Sequence, residues 1–249
     1  MRGRARPMLA AALALLTVAA ATVTIPAAAA SDGRDLAWVA QAGTYDYLIA
    51  PDYDGVATVG SIVNGRTLGL GTLDHLDGEL VLVGAVPYRV GTDGVPQPVD
   101  PSRTTPFLEA IRFAPTASGP VPPGTTCADL VAAVDALAAT SSGMVAVRVR
   151  GTFNSLVTRS VAAQVEPYPT LAQAVAGQTV FALGERRAVL VGFRTGPDLA
   201  GTGAPGLHLH GVTADRSAGG HVLSCAAGAD VQLSVQRTAG VQVSGLSGD

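Results

Sequence analysis

The stretch Gly206-Leu207-His208-Leu209-His210-Gly211, followed after a polar turn by Gly219-Gly220-His221, constrains this chain more than any other. Residues two apart in a strand share a face, so His208 and His210 point one way and Leu209 the other. Asp215-Arg216-Ser217-Ala218-Gly219-Gly220 has the composition of a reversal, and His221-Val222-Leu223 begins a new apolar run. A hairpin closed there brings His221 beside the other two. Three imidazoles on one wall make the ligand set of an open catalytic zinc site, with a fourth position left for water or substrate. Imidazole also suits iron, nickel and copper, so spacing alone does not choose the metal. One strand histidine by itself reads as a hydrogen-bonded core or surface residue; three on one hairpin read as metal ligands.

The chain opens on Met1-Arg2-Gly3-Arg4-Ala5-Arg6, runs apolar from Met8 to Ala21 except at Thr17, and reaches Pro26-Ala27-Ala28-Ala29-Ala30 before Ser31. A basic head, an apolar middle and a small-residue exit describe a signal peptide over residues 1–30, and hence a protein secreted or exported to the cell envelope. The apolar run is at the short end for a bilayer span and has no stop-transfer flank, so no stable membrane insertion is expected after cleavage. Roughly 219 residues remain, enough for one large domain or two small ones. With 16 Lys and Arg against 19 Asp and Glu, and no basic run after the leader, the charge pattern gives no footing to nucleic acid or an anionic membrane surface. A small molecule is the expected partner. Cys127 and Cys225, the only cysteines, permit a disulfide in an exported chain, although spacing does not show that their α-carbons meet.

Between these landmarks the pattern is mostly β. Residues 56–65 read as a short helix that Thr58 caps and Gly65 ends. Leu68 to Leu73 enters a strand, Asp77-Gly78 signals a hairpin turn, and Glu79 to Val83 leads out of it. Gly84-Ala85-Val86-Pro87 reads as a second turn before Tyr88, and Phe107 to Phe113 as another strand. Residues 115–124, rich in Pro and Gly, read as a linker, which divides the chain into lobes at 31–115 and 116–249. Ala128 to Ala139 has apolar residues at helical spacing, and Thr170 with Gln173 has capping-box spacing for a short helix to Ala176. Met144 to Phe153 alternates as a strand, with Phe153 to Gln164 expected to return as the second arm of a hairpin. Val189 to Arg194 is a strand feeding the histidine hairpin. The whole amounts to an α+β chain, mostly β, with two or three short helices.

In this order the chain resembles the alpha-acetolactate decarboxylases over nearly all of its mature region. The stretches that carry the resemblance are residues 69–80, Thr104-Thr105-Pro106-Phe107, Val149-Arg150-Gly151-Thr152-Phe153, Thr158-Arg159-Ser160-Val161 with Gln164, and Pro167-Tyr168-Pro169. Further on they include Leu190 to Arg194, Pro205 to His210, Asp215-Arg216 and Gly219 to Leu223. The resemblance implies a zinc enzyme that removes the carboxylate of 2-acetolactate and releases acetoin. It implies His208, His210 and His221 as metal ligands, Glu79 and Arg159 lining the site, and Thr72 near it. The implied fold is an N-terminal sheet lobe plus a C-terminal β-barrel lobe, paired as a homodimer through the sheets.

The residue types suit that chemistry. A β-keto acid losing CO₂ leaves electrons that settle on the carbonyl oxygen, where a metal acts as Lewis acid. Arg159 is always charged and can hold a carboxylate, and Glu79 can accept or donate a proton. On the sequence alone Glu79 reads as a solvent-facing residue beside a turn, Arg159 as a surface arginine and Thr72 as an ordinary strand threonine. His75 reads as exposed, and Arg148 and Arg150 as solvated or paired. Departures from the family pattern are the absence of any glutamate after Glu185, where a further one is expected near the C-terminus, Ser224 in place of an aspartate, and Gly211 in place of an aromatic residue. They leave open a zinc-holding binding protein on the same scaffold, or a secreted zinc hydrolase with Glu79 as general base.

Overall fold

The computed structural model describes residues 37–245. The leader expected over residues 1–30 lies outside them. The fold is α+β and mostly β. Strands β1 (Trp38–Ala42), β2 (Ala57–Thr58), β3 (Leu68–Thr72), β4 (Glu79–Val83), β5 (Val86–Val90), β6 (Pro96–Pro98), β7 (Thr104–Thr105) and β8 (Leu108–Ile111) come first. They are followed by β9 (Ala117–Pro120), β10 (Met144–Ser160), β11 (Thr179–Thr195), β12 (Gly206–Thr213), β13 (Gly219–Ala227), β14 (Gln232–Arg237) and β15 (Gly240–Ser244). One sheet has the order β15-β1-β8-β3-β4-β5-β6, and a second has the order β11-β12-β13-β10-β14-β9. Because β10 also pairs with β11, the pairings β10–β11–β12–β13 return to their start. β2 and β7 pair by themselves.

Four α-helices are described rather than two or three: α1 (Tyr45–Ile49), α2 (Val59–Val63), α3 (Leu130–Ala138) and α4 (Leu171–Ala176). Their starts follow capping chemistry. Thr58 accepts from the Ser61 amide, and Thr170 and Gln173 close a capping box. The unexpected helix, α1, is capped by Thr44, whose hydroxyl accepts from the Tyr47 amide at 3.2 Å.

Three further expectations are corrected. The Pro- and Gly-rich stretch after Phe113 is not only linker, because Ala117–Pro120 pairs antiparallel with β14. β9 is an edge strand, where proline's missing donor need cost no ladder bond. Second, Phe153 to Gln164 does not turn back. Met144 to Ser160 is one strand, whose polar middle is absorbed by register shifts between Phe153 and Leu156 and around Val157. Third, the turn after β4 is tighter than the four residues expected. Ala85 takes φ +70° and Gly84 φ +63°, and β5 starts at Val86.

The first sheet is covered on both faces. On one, Leu80, Leu82, Leu108 and Ala110 pack against Val59 and Ile62 of α2. On the other, Leu70, Val81 and Ile111 meet Met144, Val191, Phe193 and Val212 of the second sheet. Fully burying a side chain of this size contributes about 1.5–3 kcal/mol, so this interlocked layer is a main source of cohesion between the sheets. The second sheet keeps its own core, where Val145, Val147, Leu190, Leu209 and Leu233 close over Leu130 and Val134 of α3. The C-terminal strand β15 crosses back and pairs parallel with β1, so the first sheet draws on both ends of the described chain.

Cys127 and Cys225 form a disulfide, with α-carbons 5.1 Å apart and a separation of 98 positions in sequence. It fixes the segment before α3 to β13, where the Cys127 amide also donates to the Cys225 carbonyl. Closing so long a loop restricts the unfolded chain strongly. The double variant Cys127→Ala/Cys225→Ala should lose about 3–5 kcal/mol against urea relative to the oxidised protein. An unchanged unfolding midpoint would contradict this assignment of the bridge's role.

Candidate active site

Where the two sheets face each other, alternation decides what meets. In β12, Leu209 enters the core of the second sheet, and His208 and His210 point to the first sheet. The hairpin closes as the sequence predicts, with His210 opposite His221 in the β12–β13 ladder. In β3 and β4, Thr72 and Glu79 are cross-strand partners facing the histidines.

Arg159 reaches the same place by a less regular route. Phe153 and Leu156 both enter the core of the second sheet although they are three apart, which strict alternation forbids. Continued from Phe153, that alternation would send Arg159 into the core as well. The bulges in β10 shift the register, and Arg159 stands opposite His221 and lines the cleft.

The resulting cleft has a volume of about 540 Å³. Its polar end is formed by Thr72, Glu79, Arg159, His208, His210 and His221, and its apolar walls include Leu48 and Ile49 of α1, Phe107, and Leu171 and Val175 of α4. All six residues expected at a site from the sequence are therefore brought together. The apolar walls were not foreseen, although Thr44 before an apolar pair on one helical turn is a readable signal for α1.

The His210 Nδ1 lies 2.8 Å from the Leu80 carbonyl oxygen. A carbonyl only accepts, so this nitrogen carries the proton and Nε2 is left with a free lone pair. That Nε2 is 3.3 Å from Glu79 Oε2, and Arg159 Nη1 donates to Glu79 Oε1 at 2.5 Å. The His208 Nε2 and His221 Nδ1 are 3.1 Å apart, and His208 Nδ1 is buried with no hydrogen-bond partner. Burial, with the nearby Arg159 charge adding to it, pushes the His208 imidazole down to about 3 and holds His210 and His221 well below the usual histidine range. All three rings are neutral at physiological pH.

One nitrogen from each ring lies within 4.8 Å of the others. Three neutral imidazoles crowded around one point, one of them with an orphaned nitrogen, are a donor set that a metal cation satisfies. Glu79, 5% exposed, is pushed up to about 7 by burial, against which the Arg159 guanidinium pulls it down. Thr72 does not present a free hydroxyl, since it donates to the Gly78 carbonyl at 2.7 Å and so fixes the turn that carries Glu79. His75 stands apart and exposed, hydrogen-bonded to Tyr168, and Arg148 stacks 5.0 Å over Phe113 outside the cleft.

This arrangement sits within a chain whose residues 39–245 match the family model for alpha-acetolactate decarboxylase. The chain belongs to the alpha-acetolactate decarboxylase family. Membership places it among the carbon–carbon lyases. An alpha-acetolactate decarboxylase of Methanosarcina mazei is 37% identical over 183 residues, which cover 74% of this chain and 64% of that protein. One of Brevibacillus brevis is 30% identical over 225 residues, covering 87% and 79%. The crystal structure of alpha-acetolactate decarboxylase from Bacillus subtilis strain 168 superposes with a TM-score of 0.79 at 28% identity, covering 83% of this chain and 88% of that one.

The Glu79–Arg159 pair makes a test of the site's electrostatics. Arg159→Ala strands a buried carboxylate and should cost about 3 kcal/mol of stability in urea unfolding. Glu79→Gln/Arg159→Ala removes both charges and should recover most of that loss. Equal losses in the single and double variants would show that the pair carries no coupling.

Proposed function

We propose that the protein decarboxylates 2-acetolactate to acetoin, with zinc held by His208, His210 and His221. The observation that carries the reading is the convergence of three neutral imidazoles, a buried carboxylate and a guanidinium at the end of one apolar cleft. When bound, zinc supplies Lewis-acid stabilisation of the negative charge that develops on the ketone oxygen as CO₂ leaves.

The chain's own residues do the rest. Arg159 offers a fixed positive charge to the substrate carboxylate and keeps Glu79 in place through the pair at 2.5 Å. Glu79 is poised near neutrality, so its Oε2 can take the proton of the substrate hydroxyl or hold the proton that replaces CO₂. Leu48, Ile49, Phe107, Leu171 and Val175 offer apolar surface to the two methyl groups of acetolactate and keep water from the reacting carbon. Thr72 acts by holding the Gly78–Glu79 turn. Its role is positional, not chemical.

The disulfide supports a working place in an oxidising compartment and so the export read from the leader. Among the described residues no helix is long and apolar enough to cross a membrane. Pairing as a homodimer belongs to the same proposal, and Trp38, 58% exposed on β1, is apolar surface that a second copy could cover.

Purified protein supplied with 2-acetolactate should release acetoin, lose that activity on chelation and regain it with added zinc. His210→Ala should lower both bound metal and rate by more than the roughly 10–100-fold that losing a ligand's supporting partner costs. Metal bound at full stoichiometry with no acetoin formed would favour a binding protein on this scaffold instead.

A further inference from the structure

A second buried glutamate lies outside the chemistry described so far. Glu109 on β8 is 1% exposed and faces the second sheet. Its cross-strand partner on β1 is Gln41, 0% exposed, and Thr195 of β11, 2% exposed, approaches from the other sheet. Glu109 Oε1, Gln41 Oε1 and Thr195 Oγ1 are each buried without a hydrogen-bond partner. Glu109 and Thr195 close on Gly203. A Cβ on that residue would lie 2.8 Å from both Glu109 Oε1 and Thr195 Oγ1 and 2.9 Å from the Met144 methyl, so only a hydrogen fits.

Gly203 belongs to the loop that enters β12. On one side of it, the Thr202 carbonyl accepts from Gln41 Nε2 at 2.7 Å and from the Tyr45 amide at 2.9 Å. On the other, Ala204, Pro205 and Leu207 line the cleft and lead into His208. The Gln41 hydrogen bond and the close packing of Glu109 and Thr195 on Gly203 thus seat a wall of the cleft and, through Tyr45, the start of α1.

Donor counting shows what the contact needs. Of the three unpartnered oxygens, Gln41 Oε1 accepts only and Thr195 brings one hydrogen. An ionised Glu109 adds acceptors alone, whereas a protonated one adds a second donor. No charged side chain is among its packing neighbours Gln41, Leu70, Met144, Thr195 and Gly203. The charged groups on those elements turn elsewhere: Asp46 of α1 lies against Gly201, Arg148 of β10 over Phe113, and Arg194 of β11 on Asp135.

We propose that Glu109, in its protonated form, is a positioning residue for the cleft: with Gln41 and Thr195 it seats Gly203 and holds Ala204, Pro205 and Leu207 in place, and its ionisation releases them. Burial pushes this carboxyl up from 4.5 to about 8. Because the folded value is raised, the folded protein holds a proton that the unfolded chain gives up. The contribution of Glu109 is complete below the unfolded value and is lost as pH rises from there through about 8.

The inference rests on the proposed reaction for one of its two readouts only. Hydrogen exchange of residues 199–207 and KM for acetolactate are to be measured on metal-loaded wild type, Glu109→Gln and Glu109→Leu, at pH 7 and pH 9. At pH 9 about ten ionised carboxyls stand to each protonated one, so KM of the wild type should there exceed that of Glu109→Gln by up to about tenfold. Glu109→Gln, the neutral isostere, should reproduce the wild-type KM at pH 7 and show at pH 9 only the change that ionisation of Glu79 brings to both proteins. Wild type should also exchange faster than Glu109→Gln at pH 9 and equally at pH 7. Glu109→Leu, lacking the polar contact, should have a raised KM at both; if it does not fold, the glutamine variant decides alone. Equal exchange and equal KM in wild type and Glu109→Gln at pH 9 would overturn the proposal. A difference in exchange without one in KM would overturn the positioning role. Absence of acetoin from every protein, with the exchange difference intact, would sink the reaction and leave the contact standing.

Discussion

The Glu79 carboxylate is trapped between two sheets, and the site depends on how it is satisfied. Removing an ion of that size from water costs several kcal/mol unless partners replace the solvent. The donor comes from the opposite sheet, Arg159 of β10 on Oε1, while Oε2 lies 3.3 Å from the unprotonated Nε2 of His210 on β12, a lone pair facing it that a shared proton or cation would bridge. The reverse connection runs from His210 Nδ1 to the carbonyl of Leu80, the next residue in β4. Adjacent backbone positions of the first sheet are thereby stitched to one imidazole of the second. Neither sheet alone provides an environment in which Glu79 could be buried or His210 oriented, so docking the sheets and assembling the site are one event.

That dependence also explains why the imidazoles are available as ligands. A histidine cluster open to water would titrate near neutrality and repel itself in acid. Here the apolar layer of Leu70, Val81, Val191 and Phe193 lies alongside, and burial keeps the rings uncharged. The hydrogen bond to Leu80 settles which His210 nitrogen faces inward. Packing therefore does two tasks in the site: it excludes water from the reacting end and it fixes the protonation of the groups there.

The parts legible in the sequence were those governed by short periods. The placement of His208 and His210 follows from a period of two, the reversal to His221 from its glycines, and α3 and α4 from spacing and caps. Arg159 could not be placed this way. Its face depends on where β10 bulges, and the polar stretch Asn154-Ser155 that accommodates the bulge looks from sequence like the tip of a hairpin. β9 was hidden for the opposite reason, since a proline-rich stretch reads as linker unless the edge that pairs with it is known. The apolar walls from α1 and α4 meet only through tertiary packing. Glu79 and Glu109 each have an apolar residue on both sides or a turn beside them, and nothing local separates a buried carboxyl from a solvated one.

Those two glutamates make the sharper comparison. They lie on the same face of the same sheet, on β4 and β8 with β3 between them, and both are nearly inaccessible. Burial raises both, and it raises Glu109, with no counter-charge acting on it, further than Glu79, which has Arg159 against it. Two ionised carboxylates in this interface would leave one without a cation. One guanidinium is delivered, by the bulge in β10, and it goes to the carboxyl beside the histidines. The other carboxyl can remain in the interface only by keeping its proton, so the register of a single strand decides which glutamate serves as a charged group and which as a neutral one.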